Sequence, residues 1–276
     1  MADDDRSKDA EESKEAEIEE RQSPSSKIVH AAVLKEGEEE LERPTSALAW
    51  SGLAAGLSMG LSLIGEGALH AVLPHTPASA LISKLGYSLG FLAVILGRQQ
   101  LFTENTLTPI LVLMDKSDAK TFLNVSRLWA TILLSNLVGC AIIGYALANT
   151  SALDESIRES VLTLAREAVH PSFGIILWRG VFAGWIIALL VWLMPFAEGG
   201  RFWVIVTFTY LIGVANFSHV IVGSIEAFVL AAKGEITWLY ALQHYALASL
   251  IGNIIGGVSI VAAINHAQVV SGQEEE

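Results

Sequence analysis

The chain has 276 residues, of which 52% are hydrophobic and only 17% charged, and its mean hydropathy is +0.49. So large an apolar fraction excludes a fibrous protein and a chain that is disordered throughout. The single cysteine, Cys140, excludes an internal disulfide framework and a metal site built from several cysteines.

The net charge of −12 lies almost entirely at the ends of the chain. Residues 1–43 hold 15 acidic and 7 basic side chains, and the last three residues are all glutamate. The body in between is nearly neutral and offers no basic face to nucleic acid. We therefore predict an acidic, disordered cytoplasmic tail over 1–43, in which a short amphipathic stretch near 28–34 is the alternative to disorder, a membrane domain over 44–268 and a second acidic tail over 269–276.

Six apolar stretches are long enough to cross a hydrocarbon core of about 30 Å. They run over 46–73, 80–114, 121–148, 172–197, 202–232 and 238–264. Six crossings leave both termini on one side of the membrane. The distribution of Lys and Arg among the connections favours the cytoplasm for that side.

Polar runs interrupt the second and the fifth stretch. Residues 98–105 (RQQLFTEN) break the second, and residues 215–219 (ANFSH) break the fifth. Polar groups at mid-membrane cost free energy unless they face protein or water. We therefore predict that the second and fifth membrane helices are interrupted, the alternative being simple kinks.

The third and the sixth stretch share a pattern, Asn-x-x-Gly, at 136–139 and at 253–256. Together with the two breaks, each in the middle span of its half, this pattern predicts a 3+3 internal repeat of inverted topology. Paired interrupted spans in an inverted repeat indicate a mid-membrane permeation site. Close packing of small residues alone is the alternative reading.

At these residues the chain resembles the formate/nitrite transporter family, over roughly 44–268. The most specific segments are 101–103 (LFT), His219 and 252–257 (GNIIGG), and residues 39–43, 98–105 and 219–226 are most similar to the YfdC-type inner-membrane proteins. The resemblance implies an all-α, aquaporin-like fold with six membrane helices, multi-pass in the inner membrane. It also implies a homopentamer with one pore per protomer for small monovalent anions or their conjugate acids, such as formate, nitrite or hydrosulfide.

The resemblance also assigns residues to the pore. The family's central histidine falls on His219 and the threonine facing it on Thr103, and the apolar residues that narrow the pore fall on Phe91, Leu101, Phe102 and Ile212. A histidine at the midpoint of a hydrophobic pore could give a proton to a passing anion, because imidazole titrates near neutral pH. The alternative is a structural histidine that only satisfies backbone groups.

One position departs from the family. Members with established anion transport commonly carry a lysine at the wide pore mouth, and the matching residue here is Ala168. Two alternatives therefore stay open beside an anion channel: a pore for small neutral solutes, and a membrane scaffold that transports nothing.

Several charged residues lie within or near the predicted spans. We expect Arg98 to pair with Glu104 or Glu226 in a network that holds the two breaks, and Arg179 could replace the lysine as an attraction for anions. The sequence contains no nucleotide-binding motif, nucleophile elbow or metal-ligand spacing. We therefore expect no enzyme activity, no metal and no cofactor. The expected partners are the lipid bilayer, a small monoanion or weak acid, and further copies of the chain.

Overall fold

The structure, a computed structural model, describes residues 25–74, 76–262 and 264. Within these ranges all regular elements are helices and no strand occurs, so the prediction of an all-α protein is confirmed. The acidic segments at 1–24 and 269–276, which we predict to be tails, lie outside the described residues.

The first helix, α1 (Ser26–Glu42), lies in a segment that the sequence predicts to be disordered. Its Val33 side chain is fully buried, and Gly37 lies so close to the carbonyl of Thr108 that a Cβ atom would overlap it. The prediction of a disordered tail up to residue 43 is therefore wrong for residues 26–42. Few apolar residues are needed to keep α1 in place, because only one narrow face of this helix packs against the rest of the protein.

The first half of the body contains six further helices. They are α2 (Thr45–Ser58), α3 (Gly60–Val72), α4 (Pro77–Ser83), α5 (Ser88–Leu96), α6 (Thr108–Lys116) and α7 (Ala119–Asn149), with a 3₁₀ turn at Lys84–Tyr87 between α4 and α5. Helix α7 begins where Asp118 accepts a hydrogen bond from the Thr121 backbone N–H, as expected of an N-cap aspartate.

The second half begins with the amphipathic helix α8 (Glu155–Val169). It continues with α9 (Phe173–Leu193), α10 (Arg201–Val214), α11 (Val220–Ala232) and α12 (Leu247–Ile254). Trp238–Tyr240 and the π-helical turns Ala241–Ala246 and Ile255–Ala262 extend α12 on both sides.

By length and composition, four helical stretches among the described residues can cross a membrane. They are Thr45–Val72, Pro77–Leu96, Ala119–Asn149 and Phe173–Phe196. Three of them coincide with the first, third and fourth apolar stretches of the sequence, and Pro77–Leu96 covers the first part of the second stretch. Helix α11 is apolar but shorter.

Two helix pairs pack so closely that only glycine fits between their backbones. A Cβ atom at Gly56 of α2 would overlap the Asn136 carbonyl of α7, and one at Gly184 of α9 would overlap the Asn253 carbonyl of α12. These contacts bring Asn136 and Asn253 to the middle of the protein, where both are fully buried.

Candidate functional site

Two non-helical segments meet in the interior. One covers residues 97–107 between α5 and α6 and includes a 3₁₀ turn at Glu104–Thr106; the other covers 215–219 between α10 and α11. Near the start of each segment one non-glycine residue is left-handed, Arg98 at φ 53° and Asn216 at φ 51°. The polar runs in the sequence therefore correspond to chain segments that leave the helical path in the same way.

Asn136 holds the first segment by hydrogen bonds to main-chain atoms. Its Oδ1 accepts from the Phe102 N–H at 2.9 Å, and its Nδ2 donates to the carbonyls of Gly52 at 2.7 Å and Gln100 at 2.9 Å. The side chain thus satisfies backbone groups that the break removes from a helix.

Asn253 does the same for the second segment. Its Oδ1 accepts from the Val220 N–H at 2.9 Å, and its Nδ2 donates to the carbonyls of Gly180 at 2.8 Å and Ser218 at 2.9 Å. We call the two asparagines the asparagine clamps. Their Asn-x-x-Gly pattern is visible in the sequence, but their role as clamps was not predicted.

Thr103 and His219 form the contact between the two segments. The Thr103 hydroxyl lies 2.8 Å from His219 Nε2, and both side chains are buried. His219 Nδ1 accepts from the backbone N–H groups of Ile221 and Val222, at 3.3 Å each, and so caps α11. With Nδ1 acting as an acceptor, a neutral ring carries its hydrogen on Nε2 and donates it to Thr103.

The predicted apolar residues of the pore are all buried. The ring of Phe91 meets the His219 ring edge-on, with the ring centroids 5.0 Å apart. Leu101 and Phe102 are enclosed beside Thr103, and Phe102 packs against Trp129 with centroids 5.6 Å apart. An imidazole and a hydroxyl group are therefore placed beside buried apolar side chains.

A cavity of about 200 Å³ reaches the second segment from one side of the protein. We call it the Ala168 cavity, since Ala168 lines it at the position of the family lysine. Predicted pore residue Ile212 also lines it, as do Arg179, Glu226 and Ser218. A second cavity, of about 680 Å³, reaches the first segment and is covered by α1; we call it the α1 cavity.

The charged residues do not form the predicted network. Arg98 pairs with Glu36 of α1 at 3.1 Å instead of with Glu104 or Glu226. Arg98 and Glu104 line the α1 cavity, whereas Glu226 and Arg179 line the Ala168 cavity. The predicted pairing is wrong because the partner comes from α1, a helix that the composition of the sequence does not predict.

One ion pair at the Ala168 cavity was not predicted. Lys84 Nζ lies 2.6 Å from Glu66 Oε1, and the side chain of Glu66 is almost completely buried. No local sequence signal links these residues, because they lie 18 positions apart in the chain.

Comparison with known proteins shows which family has this architecture. The family profile described as "Formate/nitrite transporter" matches residues 27–267. The chain belongs to the formate/nitrite transporter family. The inner membrane protein YfdC of Escherichia coli (strain K12) is 37% identical over 264 residues, which cover 95% of this chain and 85% of the relative. The formate channel BtFdhC of Bacillus thuringiensis is 24% identical over 238 residues, covering 83% and 89%.

The solved structures agree on the fold. A pentameric formate channel with formate bound superimposes with a TM-score of 0.67 at 17% identity, covering 86% of this chain and 98% of that one. The resemblance recognised in the sequence, including the similarity to YfdC, is confirmed. The protein is a multi-pass membrane channel or transporter and not an enzyme.

Proposed function

We propose that the protein conducts small monovalent anions or their conjugate acids, such as formate, nitrite or hydrosulfide. The observation that carries this proposal is the Thr103–His219 contact, buried beside apolar side chains between two cavities. The names of two comparison proteins, both formate channels, support the same substrate class. We place the protein in the inner membrane, a location supported by the relative that is named an inner membrane protein.

The architecture that we propose has six membrane crossings in an inverted 3+3 repeat, with both termini in the cytoplasm. The second crossing combines α4, α5 and α6, and the fifth combines α10 and α11, each interrupted at its non-helical segment. The matched asparagine clamps and the matched left-handed residues support this repeat. We also propose that the membrane domain predicted over 44–268 includes α1.

The assembly that we propose is a homopentamer with one pore in each protomer. The structurally similar formate channel is pentameric, which supports this assembly. Native mass spectrometry of the detergent-solubilised protein should show five chains. A spectrum of only monomers, dimers or tetramers would contradict it.

His219 has a chemical role in this proposal. A bare anion cannot cross apolar surroundings cheaply, because its desolvation costs far more than thermal energy. An arriving anion favours a doubly protonated ring, whose Nδ1 gives up the hydrogen bonds from the N–H groups of Ile221 and Val222. The ring then gives its Nε2 proton to the anion by way of Thr103. The anion then crosses the constriction as a neutral acid and the ring returns to its neutral form. Phe91, Leu101, Phe102 and Ile212 keep the constriction apolar.

Flux into proteoliposomes tests the function. Formate, nitrite, hydrosulfide and acetate should enter, and their flux should grow as the external pH falls. The occupation of the lysine position by Ala168 supports a second candidate, a pore for small neutral solutes, and flux of a neutral solute without anion flux would establish it. Absence of all flux would establish a scaffold.

Two substitutions test the role of His219. His219→Phe keeps most of the bulk of the ring and should abolish flux of weak-acid anions, while His219→Asn keeps hydrogen bonding and should leave a residual flux that no longer depends on pH. His170→Asn, at an exposed site, is the matched control and should behave as the unmodified protein. If both His219 variants transport at the original rate and pH profile, His219 only caps α11.

A further inference from the structure

Two opposite charges face the Ala168 cavity without pairing. Glu226 is 9% exposed, and neither it nor Arg179 forms a hydrogen bond or an ion pair with any residue that the structure describes. A buried ionised group normally finds a partner, because losing its hydration is costly. In this structure the partner available to Glu226 and to Arg179 is a molecule or an ion that enters the cavity.

The other charges at this cavity are accounted for. Lys84 and Glu66 neutralise each other at 2.6 Å, and Glu167 is exposed at the rim. Three carboxyl groups therefore share the cavity with two cations, and one of the cations is already paired. Arg179 is left to attract an anion. The cation that acts on Glu226 is Lys84, which is already paired with Glu66, so Glu226 is left to take up a proton.

The position of Glu226 along its helix also sets its distance from His219. Glu226 lies on α11 seven positions after His219, the residue that caps this helix, so the two are about 10 Å apart along the helix axis. Ser218, which directly precedes His219, and Glu226 both line the cavity. A cavity of about 200 Å³ holds several water molecules, or a small anion together with water.

We propose that the Ala168 cavity is the entry site for both the anion and its proton. Arg179 binds the monoanion with its forked N–H donors, which suit carboxylate-like oxygens. Glu226 takes a proton from bulk water and passes it through cavity water to His219. The proposal rests on the proposed function, because it supplies the proton that His219 hands to the anion.

The proton transfers balance without any further reactant. Hydronium protonates the Glu226 carboxylate and leaves water. The carboxyl group then protonates His219 and becomes a carboxylate again, and the imidazolium protonates the anion and becomes neutral imidazole. The titratable and charged groups around Glu226 on neighbouring elements are Glu66, Lys84, Tyr87, Glu167, Arg179 and Tyr245. Glu159, exposed on α8 and outside the cavity, serves as a control.

The experiment measures formate flux into proteoliposomes over a range of external pH. Glu226→Gln keeps the shape of the side chain but carries no exchangeable acid proton, so flux should fall by at least about tenfold and its pH dependence should flatten. Glu226→Asp should keep the pH dependence at a reduced rate. Glu159→Gln, which removes the same charge from an exposed site outside the cavity, should change neither.

Arg179 is tested by the concentration dependence of the same flux. Arg179→Gln should raise the formate concentration for half-maximal flux by about tenfold or more, as expected for loss of a charged hydrogen bond. The maximal rate should stay within about twofold, and Arg179→Lys should restore part of the affinity. Arg158→Gln, outside the cavity, is the control.

The outcomes separate this inference from the proposed function. If the unmodified protein moves no formate, nitrite or hydrosulfide, the proposed function fails. If it moves formate in a pH-dependent manner and both Glu226→Gln and Arg179→Gln match it, only the present inference is overturned. Should Glu226→Gln not assemble, Glu226→Asp decides, and a rate equal to that of the unmodified protein overturns the role of Glu226.

Discussion

The asparagine clamps make a paired prediction about stability. Asn136→Ala and Asn253→Ala each remove three hydrogen bonds and leave one backbone N–H and one carbonyl at the break without a partner, because the carbonyls of Gly52 and Gly180 keep their helical hydrogen bonds. Side-chain hydrogen bonds in membrane proteins contribute about 0.6 kcal/mol on average and up to about 1.7 kcal/mol. Because the orphaned groups are buried, we expect each variant to lose about 2–4 kcal/mol of unfolding free energy.

The measurement is reversible unfolding in mixed micelles, followed by circular dichroism as the denaturing detergent is increased. Asn149→Ala, which removes one exposed hydrogen bond to the Tyr145 carbonyl, is the control and should cost less than about 0.5 kcal/mol. The two clamps share no partner, so their losses should add in the double variant within about 0.5 kcal/mol.

The critical result is that the two clamp variants lose equal amounts of unfolding free energy. If one clamp variant is destabilised and the other unfolds like the Asn149→Ala control, the two halves of the protein are not equivalent. If both unfold like the control, the clamps do not hold the breaks, and the hydrogen bonds that define them carry no net stability.

Three further predictions concern other parts of the chain. Deleting residues 2–24, which carry little apolar surface, should leave the oligomer size and the thermal stability in detergent unchanged. Gly184→Leu should prevent assembly as judged by gel filtration, while Gly174→Leu, where a Cβ meets no other atom within 4 Å, should not. The hydrogen bonds from the Thr121 side chain and backbone lower the pKa of Asp118. The capping contribution of its carboxylate is thus present above the ordinary carboxyl pKa and lost as the pH falls, so melting curves of Asp118→Ala should lack this loss.

Much of the fold was predictable because its signals are local. Apolar stretches give the first four spans directly, and the polar runs at 98–105 and 215–219 mark where the chain leaves the helical path. The Thr103–His219 contact was predicted from the family resemblance, and the structure places the two side chains 2.8 Å apart. No spacing rule links residues that lie 116 positions apart.

The predictions that were wrong concern charged residues whose partners lie far away in the sequence. The acidic composition of 26–42 predicts disorder, yet its carboxylates find basic partners on the body, as Glu36 finds Arg98 and Glu38 finds Lys116. The predicted partners of Arg98 were the acidic residues nearest to the breaks. Composition records how many charges a segment carries, but not which surface will neutralise them.

The clamps grip main-chain atoms only. Asn136 and Asn253 bind backbone N–H groups and carbonyls around the two breaks and leave the neighbouring side chains out of the bonding. Substitutions of the side chains at 101–103 therefore leave the hydrogen bonds of the clamps in place. Mutation can retune what such a protein conducts while its architecture is inherited unchanged, so descendants of one scaffold can diverge in substrate long before they diverge in shape.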